Sequence, residues 1–158
     1  MNIFKKYLIV FLLSMVPVVE LRGGVPAGLT MGLDALPVFI VCVIGNMLPV
    51  PFIFFFARKI LEWGADKPLI GKICTFFLEK GKKGGEKLQA KAGRGLFVAL
   101  LLFVGIPLPG TGAWTGTLAA SFLNMGIKST SLAVSLGVIL AGIIMGAVSL
   151  TGVHVFGL

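Results

Sequence analysis

Charge is what this chain has least of. Only 13% of its 158 residues are Asp, Glu, Lys or Arg, against about 25% in an ordinary soluble domain. So few charges cannot furnish a water-exposed surface, whereas a lipid-facing surface needs none. Histidine occurs once, as His154, and cysteine twice, as Cys42 and Cys74. Two thiols far apart in an apolar chain and a basic loop make neither a disulfide framework nor a metal site. No His/Asp/Ser constellation is present to support enzyme chemistry. The expectation is therefore a protein that is not an enzyme and carries no cofactor or metal. His154 has no acid near it in sequence and is expected to be a neutral interfacial side chain rather than a proton relay.

What fills the chain is apolar: 57% of it is hydrophobic, with a mean hydropathy of +1.04. A bilayer-crossing helix needs roughly 20 apolar residues. The charge-free stretches Ala35 to Ala57 and Ser129 to Leu158 are long enough. Gly95 to Ile127 is long enough but broken in its middle, and Tyr7 to Val19 and Gly23 to Leu33 are each too short alone. Lys5 and Lys6 ahead of an apolar run resemble the start of a signal peptide. No small-residue cleavage site follows, so the segment is expected to be retained.

The net charge of +8 does not point to nucleic acid. Ten Lys/Arg and four Asp/Glu fall between Arg58 and Arg94, a short stretch flanked by membrane segments. The positive-inside rule puts such a loop in the cytoplasm, beside anionic headgroups. Three parts follow: a first membrane half at 1–57, a basic cytoplasmic loop at 58–94 with short surface helices at Leu69–Leu78 and Glu86–Ala92, and a second membrane half at 95–158.

The two halves share an order of parts. Each runs through an apolar stretch into a Pro/Gly-rich break, on through a second apolar stretch to a Met-Gly-aliphatic-charge motif (Met31 to Asp34, Met125 to Lys128), and into a full span. From Gly95 to Ile106 a helix extends about 18 Å, roughly half of a hydrocarbon core about 30 Å thick. Pro107 and Pro109 remove backbone donors there, and Gly110 and Gly112 permit a sharp turn. The reading is an all-α integral membrane protein of two inverted repeats, each a re-entrant helical hairpin plus a transmembrane helix. Lys5 and Lys6 would then lie outside, against the charge rule. If the first broken segment spans instead, that conflict disappears and so does the symmetry.

Glu20 and Arg22 are the only charges between Lys6 and Asp34, and they sit in the first break. Ionisable groups at membrane depth cost about 2.5–3.5 kcal/mol each by insertion scales, and they usually pair and mark a transport path. Around them, Gly23, Gly24 and Pro26 make irregular backbone, which is tolerated at depth only beside a cavity or protein. The alternative is that both charges lie in the headgroups. In the second break, Thr111 is the candidate N-cap of a helix starting near Ala113, whose N–H groups would face the membrane centre. Together with a helix starting near Gly24, this gives an anion site from Arg22, Gly23, Gly24, Pro107, Gly110, Thr111, Gly112 and Trp114, with Glu20 coupling protons. A purely structural break, allowing close packing through glycine, would leave the same residues. Asn46 is expected to bond across helices, and Gly137, Gly142 and Gly146 to form a packing face within the chain or in a dimer.

The run Glu20-Leu21-Arg22-Gly23 with Pro26, and the run from Pro107 to Gly116, resemble the small multidrug export protein family over nearly the whole chain. The resemblance implies a distant relation to the DedA superfamily. It also implies two facing re-entrant hairpins and proton-coupled movement of lipid phosphates such as undecaprenyl phosphate, in a multi-pass protein of a prokaryotic cytoplasmic membrane. Glu20 and Arg22 fit the acid and arginine of the first hairpin; the second lacks an arginine near Pro107, Arg94 being the nearest. Three functions stand side by side: a transporter of an anionic lipid or other phosphate-bearing small molecule, an exporter of cationic drugs with Glu20 holding the cation, and a non-transporting scaffold. Partners are membrane lipids and a second copy of the chain, because a monomer would expose irregular backbone to lipid.

Overall fold

The computed structural model describes residues 2–92 and 95–156, with the backbone only at 91–92 and 153–156. Arg94 and the side chain of His154 lie outside the described residues. Every regular element among those described is helical.

Helix α1 spans Ile3–Met15, started by the Asn2 side chain accepting from the Phe4 N–H, and ends in the extended residue Val16. Pro17 explains the stop, since the residue before a proline is pushed out of the helical region. Helix α2, Glu20–Thr30, lies antiparallel on α1. A Cβ on Gly24 would meet Ser14, and one on Gly28 would meet Val10. Lys6 Nζ donates to Met31 O at 2.5 Å, a cation on the carbonyl end of α2.

Helix α3 runs over Ala35–Ala65. Pro49 and Pro51 remove two donors from it, and the chain answers with the short turn Val50–Phe52 and a wide turn at Ile53–Ala57. Its last part, Arg58–Ala65, was expected in the loop. The rest of that loop also differs from expectation. Instead of two short surface helices it forms one helix, α4, at Gly71–Ala92. Glycines explain this: Gly81 packs on Leu118 and Phe122, and Gly84 on Phe103 and Ala119. One face of a lysine-rich helix can therefore lie against the apolar body while Lys72, Lys82, Lys83 and Lys87 face outward.

Helix α5, Leu96–Gly105, is followed by the break 106–112, helix α6 at Ala113–Phe122 and helix α7 at Ile127–Phe156. Phe39 packs at Gly142 and Met47 Sδ lies 3.7 Å from Ser135 Oγ, so α3 and α7 run antiparallel. These are the two helices long and apolar enough to cross a membrane among the described residues. Gly137 and Gly142 of α7 are packing positions within the chain, against Val104 and Leu21 respectively, whereas Gly146 faces open space. Asn46 is 2% exposed, but its Oδ1 makes no hydrogen bond across helices or elsewhere among the described residues.

The turns after α2 and α6 close in the same way. Met31 N–H reaches Ala27 O, Gly32 N–H reaches Leu29 O, and Leu33 N–H reaches Gly28 O; Leu123, Asn124 and Met125 make the same three bonds to Ala119, Ser121 and Ala120. This helix-ending motif needs a left-handed residue, supplied by Gly32 (φ 73) and Asn124 (φ 53). Like-placed residues are thus 92 apart, and α3 and α7 also begin 92 apart. The Met-Gly motifs suggest a register of 94; the backbone places Leu33, not Met31, opposite Met125.

Candidate functional site

The two breaks interlock. Glu20 sits where α2 begins, in a turn that forces both Val18 (φ 76) and Glu20 (φ 50) into left-handed backbone. For a branched residue such as Val18 that conformation is a genuine outlier, and such strain costs on the order of 1–3 kcal/mol per residue. The turn carries the Glu20 carboxyl to the start of α6. There Oε2 accepts the Ala113 N–H at 3.1 Å and Oε1 the Trp114 N–H at 2.9 Å. Glu20 is 3% exposed, so its carboxyl is held inside the protein at a helix N-terminus, where unpaired N–H groups and the helix dipole favour negative charge.

Arg22 does the complementary work at the other side of the second break. Its Nη1 donates to Leu108 O at 2.8 Å. Its Nη2 donates to Val104 O at 3.1 Å, Ile106 O at 3.3 Å and Thr111 Oγ1 at 2.8 Å. The carbonyls at the end of a helix have no partners within it, and here one guanidinium serves several. Trp114 returns the arrangement: its Nε1 donates to Met15 O at 3.1 Å, at the end of α1. Arg22 of α2 thus closes α5, while Trp114 of α6, 92 residues further on, closes α1.

Several expectations change against this geometry. Glu20 and Arg22 do not form an ion pair with each other; the one salt bridge among the described residues is Arg58–Glu62 at 3.0 Å. Each charge is instead met by the other half's backbone. Thr111 is not the N-cap of α6. That position is Gly112 (φ 139), without a side-chain bond, while the Thr111 hydroxyl lies 3.0 Å from Ile106 O and 2.8 Å from Leu108 O. Helix α2 begins at Glu20 rather than near Gly24. Gly24 is buried against Ser14 and Cys42 and belongs to helix packing, and a Cβ on Gly23 would meet only Val19 of its own turn. Gly112 is the glycine the site cannot replace, because a Cβ there would overlap the Glu20 carboxyl. Pro107 and Gly110 shape the turn that Arg22 grips; Gly110 takes φ 80.

Two features escape sequence reasoning. Lys80 looks like part of a solvated run, yet α4 lays it over the break, with its Nζ 2.8 Å from where a Gly110 Cβ would stand. A second cation therefore flanks the 106–112 turn. The other is a cavity of about 470 Å³ between α3, α4 and α6, whose walls include Pro49, Phe52, Phe56, Phe77, Trp114 and Leu118. Its residues come from three separate segments of ordinary apolar sequence, so no local signal announces it. Trp114 belongs to both places: its backbone N–H holds Glu20 and the residue lines the cavity.

A family model described as "Putative small multi-drug export protein" matches residues 20–144. No curated protein and no solved structure matches the chain. The match takes in Glu20 and Arg22, the second break, α3, the first part of α7 and every wall of the cavity.

Proposed function

Given that the chain belongs to the small multi-drug export protein family, we propose that it is a proton-coupled membrane transporter of a phosphate-bearing amphiphile, such as an anionic lipid. The observation that carries this is the Glu20 carboxylate on the Ala113 and Trp114 N–H groups. It stands where a substrate anion would stand. Protonation of Glu20 removes the charge that makes those bonds strong. The start of α6 then becomes open to a phosphate, with Arg22 and Thr111 beside it and Lys80 across the turn. Uptake of a proton and of an anion become one exchange, and no covalent step is required.

In this reading α1–α2 and α5–α6 are re-entrant hairpins entering from opposite sides, and the halves are inverted repeats of a multi-pass protein. The antiparallel course of α3 and α7 supports it, as does the spacing of 92. The Lys6–Met31 bond puts the N-terminus at the same end as Asp34, which fits a hairpin better than a span. A homodimer would cover the irregular backbone of the breaks from lipid. Export of cations has weaker support, since both Glu20 oxygens are already turned toward N–H donors and offer a cation no open side.

Binding of phosphatidic acid to purified protein across pH tests the proposal. The parent should bind more tightly as pH falls through the Glu20 titration. Glu20→Gln should bind with no such dependence. Arg22→Ala should bind at least tenfold more weakly, and Arg22→Lys should recover little, since an ammonium lacks the planar fork that matches phosphate. Undiminished binding by Arg22→Ala would refute the anion site.

A further inference from the structure

We propose that the cavity beneath Trp114 holds the hydrocarbon chain of the same lipid whose phosphate reaches the Glu20 site; the inference rests on the anion-site reading above. At about 470 Å³ the cavity falls within the roughly 300–1,000 Å³ of ligand pockets. Those pockets orient their ligands with a few polar groups. This one offers a single hydroxyl, Thr115, among otherwise apolar side chains, so it selects for apolar volume and not for a polar pattern. Water would find no set of partners there, and such cavities stay dry. Left empty, the walls forfeit their dispersion contacts.

The side facing outward settles what fills it. Phe52, Phe56 and Ile60 line the cavity and are each more than half exposed. They sit on α3, a helix long and apolar enough to cross the bilayer. The mouth therefore opens on hydrocarbon, and the abundant neighbour is an acyl or prenyl chain. The wall it would meet is the wide turn Ile53–Ala57, a local departure from regular helix that frequently occurs at functional sites. Trp114 connects chain and headgroup: it is one of the cavity's lining residues while its backbone N–H holds Glu20.

Trp114 also reports on the site. Trp63, the other tryptophan of the sequence, is removed as Trp63→Phe, and the protein is placed in nanodiscs with a small mole fraction of phosphatidic acid brominated on its acyl chains. The inference predicts at least twofold more quenching of Trp114 than an equal fraction of brominated phosphatidylcholine gives. Ala57→Phe and Thr115→Phe, each filling the cavity from a different helix, should remove the excess while phosphatidic acid still binds. Equal quenching by the two lipids, or an excess that survives both fillings, overturns the inference. So does saturable binding of N-phenyl-1-naphthylamine that phosphatidic acid leaves unchanged, which would assign the cavity to small apolar molecules. If the headgroup reading alone is wrong, phosphatidic acid binding itself will be insensitive to Arg22→Ala. If only the chain site is wrong, that sensitivity remains and the excess quenching is absent.

Discussion

Glu20 and Arg22 hold the two halves together through backbone groups rather than through each other. That makes their substitutions differ in kind. Glu20→Gln keeps the shape, loses the charge and leaves one amide oxygen where two carboxylate oxygens accepted, so one bond falls from about 1.5–3 to about 0.5–1.5 kcal/mol and the other is lost. A fall of a few degrees in the melting temperature of the detergent-solubilised protein is expected. Gly112→Ala keeps the charge and removes the room for it, since the new Cβ overlaps the carboxyl. It should cost more than Glu20→Gln and should leave little further effect when the two are combined, a non-additivity measurable by thermal melts of the double variant. These charges were legible in the sequence because they are rare in an apolar stretch. Their partners were not: carbonyls at positions 104, 106 and 108 carry no side-chain signature and lie more than 80 residues away. Lys80 was hidden for the opposite reason, as one lysine among many.

At the level of elements, proline and glycine explain both what was readable and what was not. Pro107 ends α5 where the sequence says it should, whereas Pro17 ends α1 at Met15, four residues before the Val19 expected, and α2 starts at Glu20 and not near Gly24. The second break was therefore open to reading, and so were the long apolar helices, while the bounds of the first break were not. The stretch 58–94 misled because its charge implies solvent. The packing contacts come from Gly81 and Gly84, and a glycine declares a close approach only when its neighbour is known. Gly81→Leu should push α4 off α6, because even a Cβ would come within 2.7 Å of Leu118. A loss of several degrees in melting temperature is expected, with weaker phosphatidic acid binding as Lys80 leaves the turn. Gly146→Leu, at a position with nothing within 4 Å, should leave the melt within about a degree or raise it, helix propensity favouring leucine by less than about 1 kcal/mol.

Across the whole molecule the two long helices run in opposite directions, with Asp34 at the start of one and Lys128 in the first turn of the other. Leu123, just before Lys128, packs near Gly85 of α4. Asp34 should therefore lie on the opposite side of the membrane from α4, and Lys128 on the same side. Single cysteines at positions 34, 82 and 128 in a cysteine-free background, labelled in intact cells with an impermeant maleimide, should react at 34 alone. Labelling of 34 and 82 together would mean that α3 does not cross. The shared order of parts in the two halves was visible in the sequence, but its register was not: turn chemistry places Gly32 opposite Asn124, two residues of different type doing the same left-handed job.

The account turns on one exchange, a substrate phosphate replacing the Glu20 carboxylate at the start of α6. Nuclear magnetic resonance of protein in nanodiscs can watch both participants at once, through the ¹³C shift of the Glu20 carboxyl and the amide shifts of Ala113 and Trp114. Titration with phosphatidic acid at constant pH should move all three together, the carboxyl toward its protonated shift, with Glu20→Gln showing the amide changes alone. Binding of phosphatidic acid that leaves the Glu20 carboxyl and both amides unmoved would contradict the account.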